Sequence, residues 1–395
     1  MKIVVGLTVV FSTISAISAN CVFDLRRDTP REKTPIYMKL NNRDEYTYFV
    51  PNGQRTNFAT NEVLYAYCPE FGNQNQVTAI TCKANGDFPV KSHQCRQEIQ
   101  GQRRVIPTPR HEGCMQGVGG MQHLGFFLPE GKFHPVVQVC YDDDLSRTLF
   151  TFHTINGRAI QHAQRNLDRP VFSDAGISTV GLPAGTRVGT IYTGPFQRTI
   201  FNTLYGNNQR YVTNAEFLTR GHMAPVADFV FHPEQISTFF LLNAGPENKS
   251  VNEGNWETVE RLSRQMAAEK SVHMGVVTGE LGHLHFQNLV TRRDVRATLS
   301  GRNRFVVPNY FWRVLLDADS SSAIVFVTLN NPYATVRPDP CTNVCRDANI
   351  IEPDFTNFGL GYTVCCRYAD FIRRHKINLP DRFQPSHYPN LLMKD

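Results

Sequence analysis

Thr219-Arg220-Gly221-His222-Met223-Ala224-Pro225, followed by Phe239-Phe240-Leu241-Leu242 and then by Asn252-Glu253-Gly254-Asn255-Trp256-Glu257-Thr258-Val259-Glu260, decides how this chain is built. The first stretch closes a strand-like run with an arginine, a glycine and a histidine. The second, apolar and placed just before an asparagine-rich turn, reads as another strand. The third opens a helix. Trp256, Val259, Leu262, Met266 and Ala267 recur at helical spacing, which predicts a helix from about Asn252 to Lys270. Asn252, Trp256, Glu260 and Arg264 stand four positions apart, so they drift only slowly around one wall of that helix. Strand, strand, helix is the resulting order.

Outward from this unit, strand patterns recur at Val136–Cys140, Thr148–Phe152, Val272–Val277, Phe311–Leu316 and Ala323–Leu329, with helical stretches between some of them. The connections are too irregular for a βαβ array. The expectation is an α+β domain on a mainly antiparallel sheet flanked by helices, over residues 114–395. Residues 20–98 hold four cysteines, many turn formers and short β-like runs such as Glu62–Tyr67 and Val77–Thr81, and read as a small disulfide-rich β module. Between them, 99–113 is polar, contains Pro107 and Pro109, and reads as a linker.

Met1 to Ala19 has the form of a secretory signal: Lys2, an apolar run, and Ser18-Ala19 as a small-residue cleavage site. The apolar run is too short to span a bilayer, so a secreted, extracellular protein without a membrane anchor is expected. All ten cysteines follow this signal, which fits an oxidising compartment and as many as five disulfides. Cys341, Cys345, Cys365 and Cys366 lack the paired spacing of common zinc sites, so bridging is the expectation there, with the pairing left open. With 41% hydrophobic residues the chain can bury a substantial core. A net charge of +6 and a pI near 8.8 permit a polyanionic partner without requiring one. Arginines cluster at Arg103, Arg104 and Arg110 and again from Arg292 to Arg304, on what are equally well solvated loops or phosphate-tracking surfaces.

The chemistry concentrates on one set of side chains. His222 is one of thirteen histidines and gains weight only from its companions. Taken alone, Glu260 and Arg264 would be an ordinary helix pair and Asn252 its N-cap. Beside Arg-Gly-His they supply a base, an oxygen ligand for a cation and guanidinium forks shaped for phosphate, which are the parts that cleave a phosphodiester. Arg220 and Arg264 are the candidate phosphate binders. Asn248-Lys249-Ser250 is a glycosylation sequon within this region. Asn243 is expected to hold the turn before the helix.

On these motifs the chain resembles the DNA/RNA non-specific endonucleases of the Serratia nuclease and endonuclease G type, whose strand–strand–helix unit is called a ββα-metal finger. Family members carry Asp-Arg-Gly-His, and Thr219 stands where that aspartate is usual. The chain is most similar to secreted arthropod duplex-specific nucleases and double-stranded ribonucleases, through Gly-His-Met with Pro225, Ala227-Asp228-Phe229, Gly254-Asn255-Trp256, Asn330-Asn331-Pro332 and Gly361-Tyr362 running into Cys365-Cys366. The resemblance implies a magnesium-dependent endonuclease, with manganese as the alternative ion, acting on DNA or RNA with little sequence preference and leaving 5′-phosphate ends. It implies that His222 is the general base, that Asn252 holds the metal and that Glu260 accepts a hydrogen bond in the metal's surroundings. Arg165, in Gln164-Arg165-Asn166, matches a further family arginine and is a third candidate for substrate binding. Two rival readings accompany this one: a nucleic-acid-binding protein whose chemistry Thr219 has cost it, and a protein whose function lies in the amino-terminal module.

Overall fold

A computed structural model of the chain describes residues 21–69, 76–107, 114–165 and 168–395. The expected secretory signal, Arg110 of the first arginine cluster and Asn166 lie outside the described residues. No helix among those described is long and apolar enough to cross a membrane.

The centre is an antiparallel sheet in the order Thr363–Cys366, Ser322–Leu329, Tyr310–Asp317, His273–Leu281, Arg147–Asn156, Phe133–Asp142, Gly120–Phe127 and Gln102–Val105; Asn390–Leu391 adds parallel to Ser322–Leu329. These runs are rich in β-branched and aromatic residues, and both faces of the inner strands are covered. Side chains alternate across a strand, so Trp312, Val314 and Leu316 enter one core with Phe371 and Phe383, while Phe311 and Leu315 enter the other. The long helix, Glu257–Lys270, covers that second face with Val259, Leu262 and Met266. Neighbouring Cys365 and Cys366 obey the same alternation: one pairs with Cys345 and the other with Cys341, on opposite sides of their strand. No cysteine among the described residues is free, which leaves none of these four thiols for zinc.

The stretch expected as a linker does structural work. Gln102–Val105 extends the main sheet by pairing with Gly120–Phe127, and Arg103 donates to Gln122 Oε1 at 2.7 Å. The amino-terminal module forms a four-stranded sheet from Ile36–Leu40, Tyr46–Tyr48, Val63–Cys68 and Gln76–Thr81, plus a pair from Cys21–Asp24 and Arg55–Phe58. Cys21–Cys82 and Cys68–Cys95 staple it; Cys114–Cys140 lies beyond. Its apolar face is not its own. Ile36, Met38 and Ile99 pack with Leu124, Phe126 and Phe240, and Phe23 and Tyr37 pack with Phe231. The module and the domain of the main sheet thus share two cores.

The strand–strand–helix unit is present, with one strand displaced from where the sequence pointed. Leu218–His222 pairs with Ala244–Asn248, not with 239–242. Phe239 to Leu242 instead turn their side chains into three different environments, and Leu241–Asn243 forms a 3₁₀ turn. Gly245 and Pro246 are poor strand formers, but a two-stranded ribbon has an open edge that tolerates a missing N–H. Asn330 clamps this strand: its Oδ1 accepts from Asn248 N at 2.9 Å, and its Nδ2 donates to Pro246 O and Pro308 O. Asn248 itself is 1% exposed, and its Nδ2, the atom a glycan would attach to, donates to Asn330 O at 2.8 Å.

Candidate active site

The two strands and the helix converge on an open cleft of about 720 Å³, lined among others by His222, Arg220, Thr219, Asn252, Glu260 and Arg264. Five of the six candidate residues therefore share one cavity with Thr219. Each is delivered by a local feature of the chain. Gly221, between Arg220 and His222, is a glycine because the buried Glu247 side chain of the opposite strand occupies its Cβ position: an added Cβ would lie 2.1 Å from a carboxylate oxygen. Asn243 holds the turn as expected, its amide bonding both the N–H and the C=O of Ala224 at 2.9 Å.

The helix begins differently from its periodicity. Lys249–Val251 is a single α-turn, Asn252–Trp256 is a π-turn, and only from Glu257 is the helix regular. The π-turn inserts one extra residue per turn. Trp256 therefore leaves the wall predicted for it and is fully buried against Phe311, while Glu257 takes its place in the cleft beside Asn252. Gly254 sits at the irregular point, where an added Cβ would approach Leu360 O to 2.8 Å; Asn255 fixes the same turn by donating to Asp354 O and Gly361 O.

Thr219 and Asn252 form a chain of hydrogen bonds with a fixed direction. The Thr219 hydroxyl donates to Glu247 O at 3.1 Å and accepts from Asn252 Nδ2 at 3.0 Å. A hydroxyl has one proton, so giving it to the carbonyl obliges Thr219 to accept from the amide. The amide nitrogen is thereby committed and Oδ1 is the end left for the cleft. A neutral carboxamide oxygen is a hard donor that suits magnesium, an ion that keeps most of its waters. No group of three or more His, Cys, Asp or Glu residues that could hold a metal exists among those described.

His222 is held between two aromatic rings, Phe172 at 4.9 Å and Phe239 at 5.4 Å between centroids. Its Nε2 is buried without a hydrogen-bond partner. Burial first, and then the charges of Arg169 and Arg220, push the imidazole down to about 3, so it is neutral throughout the physiological range. The guanidinium of Arg220, exposed in the cleft, stacks 5.2 Å from the centre of Phe172. Glu260, at the half-buried floor, is pushed the opposite way: burial raises it to about 8, against the opposing pull of Arg313 and Arg264.

Beneath the helix lies a charged hub of which the sequence motifs contain Asp228 but not its partners His153 and Arg313. Asp228, fully buried, accepts from His153 Nε2 at 2.8 Å and from Arg264 Nη1 at 3.1 Å, and pairs with the fully buried Arg313. Arg313 is further tied to Ser263 Oγ and Thr278 Oγ1. Desolvation would raise the Asp228 carboxyl, but the charge of Arg313, the hydrogen bond from His153 and the charge of Arg264 outweigh it and hold the group well below the usual range. Arg264 thus meets the cleft from an anchored base. Arg165 is placed elsewhere: it lines an adjoining cavity, bonds to Ile160 O, and reaches the cleft only through its charge, which acts on that of Arg264. Arg169 and Phe172, by contrast, line the cleft and carry no sequence motif.

Residues 119–371 match the model of a family described as DNA/RNA non-specific endonuclease. A salivary endonuclease of Lutzomyia longipalpis is 30% identical over 95% of this chain and 88% of its own length. Salivary protein Tsal1 of Glossina morsitans morsitans is 25% identical over 94% of this chain and 96% of its own. Mitochondrial endonuclease G of Homo sapiens is 28% identical over 31% of this chain and 43% of its own.

Proposed function

Because this chain belongs to the DNA/RNA non-specific endonuclease family, and so is a hydrolase of phosphodiester bonds in nucleic acid, we propose that it is a secreted, magnesium-dependent enzyme that cuts within double-stranded DNA, double-stranded RNA or both and leaves 5′-phosphate ends. The observation that carries the proposal is the neutral His222 in one cleft with the oriented carboxamide of Asn252 and the guanidinium groups of Arg220 and Arg264.

In this reading His222 takes the proton from the water that attacks phosphorus. A base near 3 is weak, but the two charges that help depress it are arginines facing the place where the phosphate binds. A phosphodiester there offsets them and raises the basicity of His222 when substrate is present. Arg220 and Arg264 bind the phosphate oxygens in forked hydrogen bonds, Arg169 adds a third cation, and Arg165 attracts the flanking backbone. Asn252 holds magnesium, or manganese in its place, which when bound stabilises charge on the leaving 3′ oxygen. Glu260, once deprotonated, accepts a hydrogen bond from water in the cleft and fixes its direction. Contacts of this kind read phosphate and not base, so sequence preference is slight. Secretion is supported by the five disulfides, by the signal-like start of the chain and by relatives named as salivary proteins. The hydroxyl of Thr219 orients Asn252, which weighs against a protein whose chemistry Thr219 has cost it.

The test is cleavage of duplex DNA, double-stranded RNA and single strands by the folded protein with magnesium or with chelator, beside His222→Ala and Asn252→Ala. Metal-dependent cutting lost in both variants is the expected result. Cutting that survives chelation or His222→Ala overturns the proposed chemistry.

A further inference from the structure

Next to the cleft, at the seam between the amino-terminal module and the nuclease domain, is a second cavity of about 490 Å³. Its charged lining is Arg26, Arg31 and Arg165 against the single carboxylate of Glu32. The three arginines are exposed, and no carboxylate pairs with any of them among the described residues. His232 lines it too, 2% exposed, with neither ring nitrogen hydrogen-bonded, and burial pushes it down to about 4. An unpartnered imidazole is costly to bury unless a ligand completes it. Gln164 bridges the seam: it donates to Pro30 O at 2.6 Å and to Thr34 Oγ1 in the module and accepts from His232 N in the nuclease domain.

This cavity is not isolated. A third hollow shares Arg31, Glu32 and His232 with it, and shares Arg169 and Pro170 with the cleft. That middle stretch is mixed in charge, with Lys33 and Arg169 opposite Glu98 and Asp168. The cleft sets Arg169, Arg220 and Arg264 beside Glu253, Glu257 and Glu260, whereas the seam has three arginines against one carboxylate, and the middle hollow adjoins both through the residues they share.

We propose that the seam cavity is a second binding site for backbone phosphates of the nucleic acid being cut, so that the amino-terminal module, through Arg26 and Arg31, forms part of the substrate-binding surface. The proposal rests on the nuclease reading above. Guanidinium forks and a buried imidazole fit a phosphate oxygen, and a polynucleotide held in the cleft supplies phosphates along its length to a cationic cavity one hollow away.

Arg26→Ala/Arg31→Ala removes two exposed side chains that bond nothing structural, and thermal unfolding reports whether the variant is folded. Each lost phosphate contact lowers the salt slope of binding by about 0.9, so the double variant loses about 1.8. Between 50 and 200 mM salt the wild type then loses about twelvefold more affinity for a duplex than the variant does. Accordingly KM for long duplexes rises, kcat holds, and the difference between the proteins shrinks as the duplex is shortened. Lys83→Ala, on the module but paired with Asp87 away from the seam, leaves the slope unchanged. A folded double variant with wild-type slope and wild-type length dependence overturns the proposal while leaving the nuclease reading intact; a wild type that cuts no nucleic acid overturns that reading instead. Protection of the seam by inorganic phosphate as strong as that by duplex would assign the site to free phosphate and also overturn it.

Discussion

Thr219→Val tests the most specific claim made for the site. The substitution keeps the shape of the side chain and removes the hydroxyl that donates to Glu247 O and accepts from Asn252 Nδ2 at 3.0 Å. The Glu247 carbonyl stays within the ladder of paired strands, where Thr219 and Glu247 are register partners, so the fold survives. The Asn252 amide, however, loses what distinguishes its oxygen from its nitrogen. A hydrogen bond worth about 1 kcal/mol holds roughly five in six molecules in the metal-binding orientation. Equal populations after its loss cost less than twofold, which alone would be hard to see. The larger effect is lost restraint on the side chain: removing a partner that orients a metal ligand typically costs about 10–100-fold in metal affinity. The magnesium concentration giving half-maximal cleavage is therefore expected to rise about tenfold or more, while the rate at saturating magnesium stays within about threefold. Thr219→Ser, which keeps the hydroxyl, should behave as wild type. A valine variant with unchanged metal dependence, or one whose deficit added metal does not recover, would refute the orienting role of Thr219.

Four further outcomes follow from the same geometry. Glu260, raised to about 8 by burial, is protonated at neutral pH in the free protein, whereas His222 near 3 is already a base; kcat/KM should climb through a limb near pH 8, absent in Glu260→Gln. For stability the signs are opposite: the contribution of Glu260 is full below the ordinary carboxylate range and is lost as pH rises toward 8, while that of His222 is present above the ordinary histidine range and is lost as pH falls toward 3, which melting curves of Glu260→Gln and His222→Asn beside wild type would resolve. Asp228→Asn strands the fully buried Arg313 without its counter-charge and should destabilise the protein by about 3–5 kcal/mol in denaturant unfolding. A chain truncated to begin near Glu112 exposes Phe126 and Phe231, each worth about 1.5–3 kcal/mol of burial, and loses the sheet's edge strand; sedimentation and circular dichroism should find it aggregated or unfolded.

What could be read from the sequence divides by the range of the interactions. His222, Arg220 and Glu260 lie within a few dozen residues of one another in a local unit whose order follows from hydrophobic pattern, and the strands of the main sheet announce themselves by β-branched and aromatic runs. Phe239 to Leu242 look like the second strand of the unit by composition, yet they are apolar because they serve several cores at once, and the strand lies at Ala244–Asn248. A regular period puts Trp256 on the wall of the helix with Asn252 and Glu260, and the π-turn at Asn252–Trp256 breaks that period. Gly254 signals the break only in hindsight: its constraint comes from Leu360, far along the chain.

Distance along the chain also hid the groups that set the electrostatics of the site. Asp228 meets Arg313, 85 residues away, and His153, 75 residues away, and neither spacing has a signature. Yet this hub decides what Arg264 can do. A guanidinium reaching freely from the helix would bind phosphate from many directions at a cost in side-chain entropy. With Nη1 committed to the buried Asp228 at 3.1 Å, Arg264 offers the rest of its fork in one orientation and pays that entropy in folding. The same logic runs through Thr219 and Asn252, and through Phe172, which stacks on Arg220 and His222 together. In each case the side chain proposed to meet substrate is recognisable by type, and the one that aims it comes from elsewhere in the fold. Non-specific cleavage asks for this division: where no base is read, discrimination between cutting and merely binding rests on how rigidly a few phosphate contacts are held.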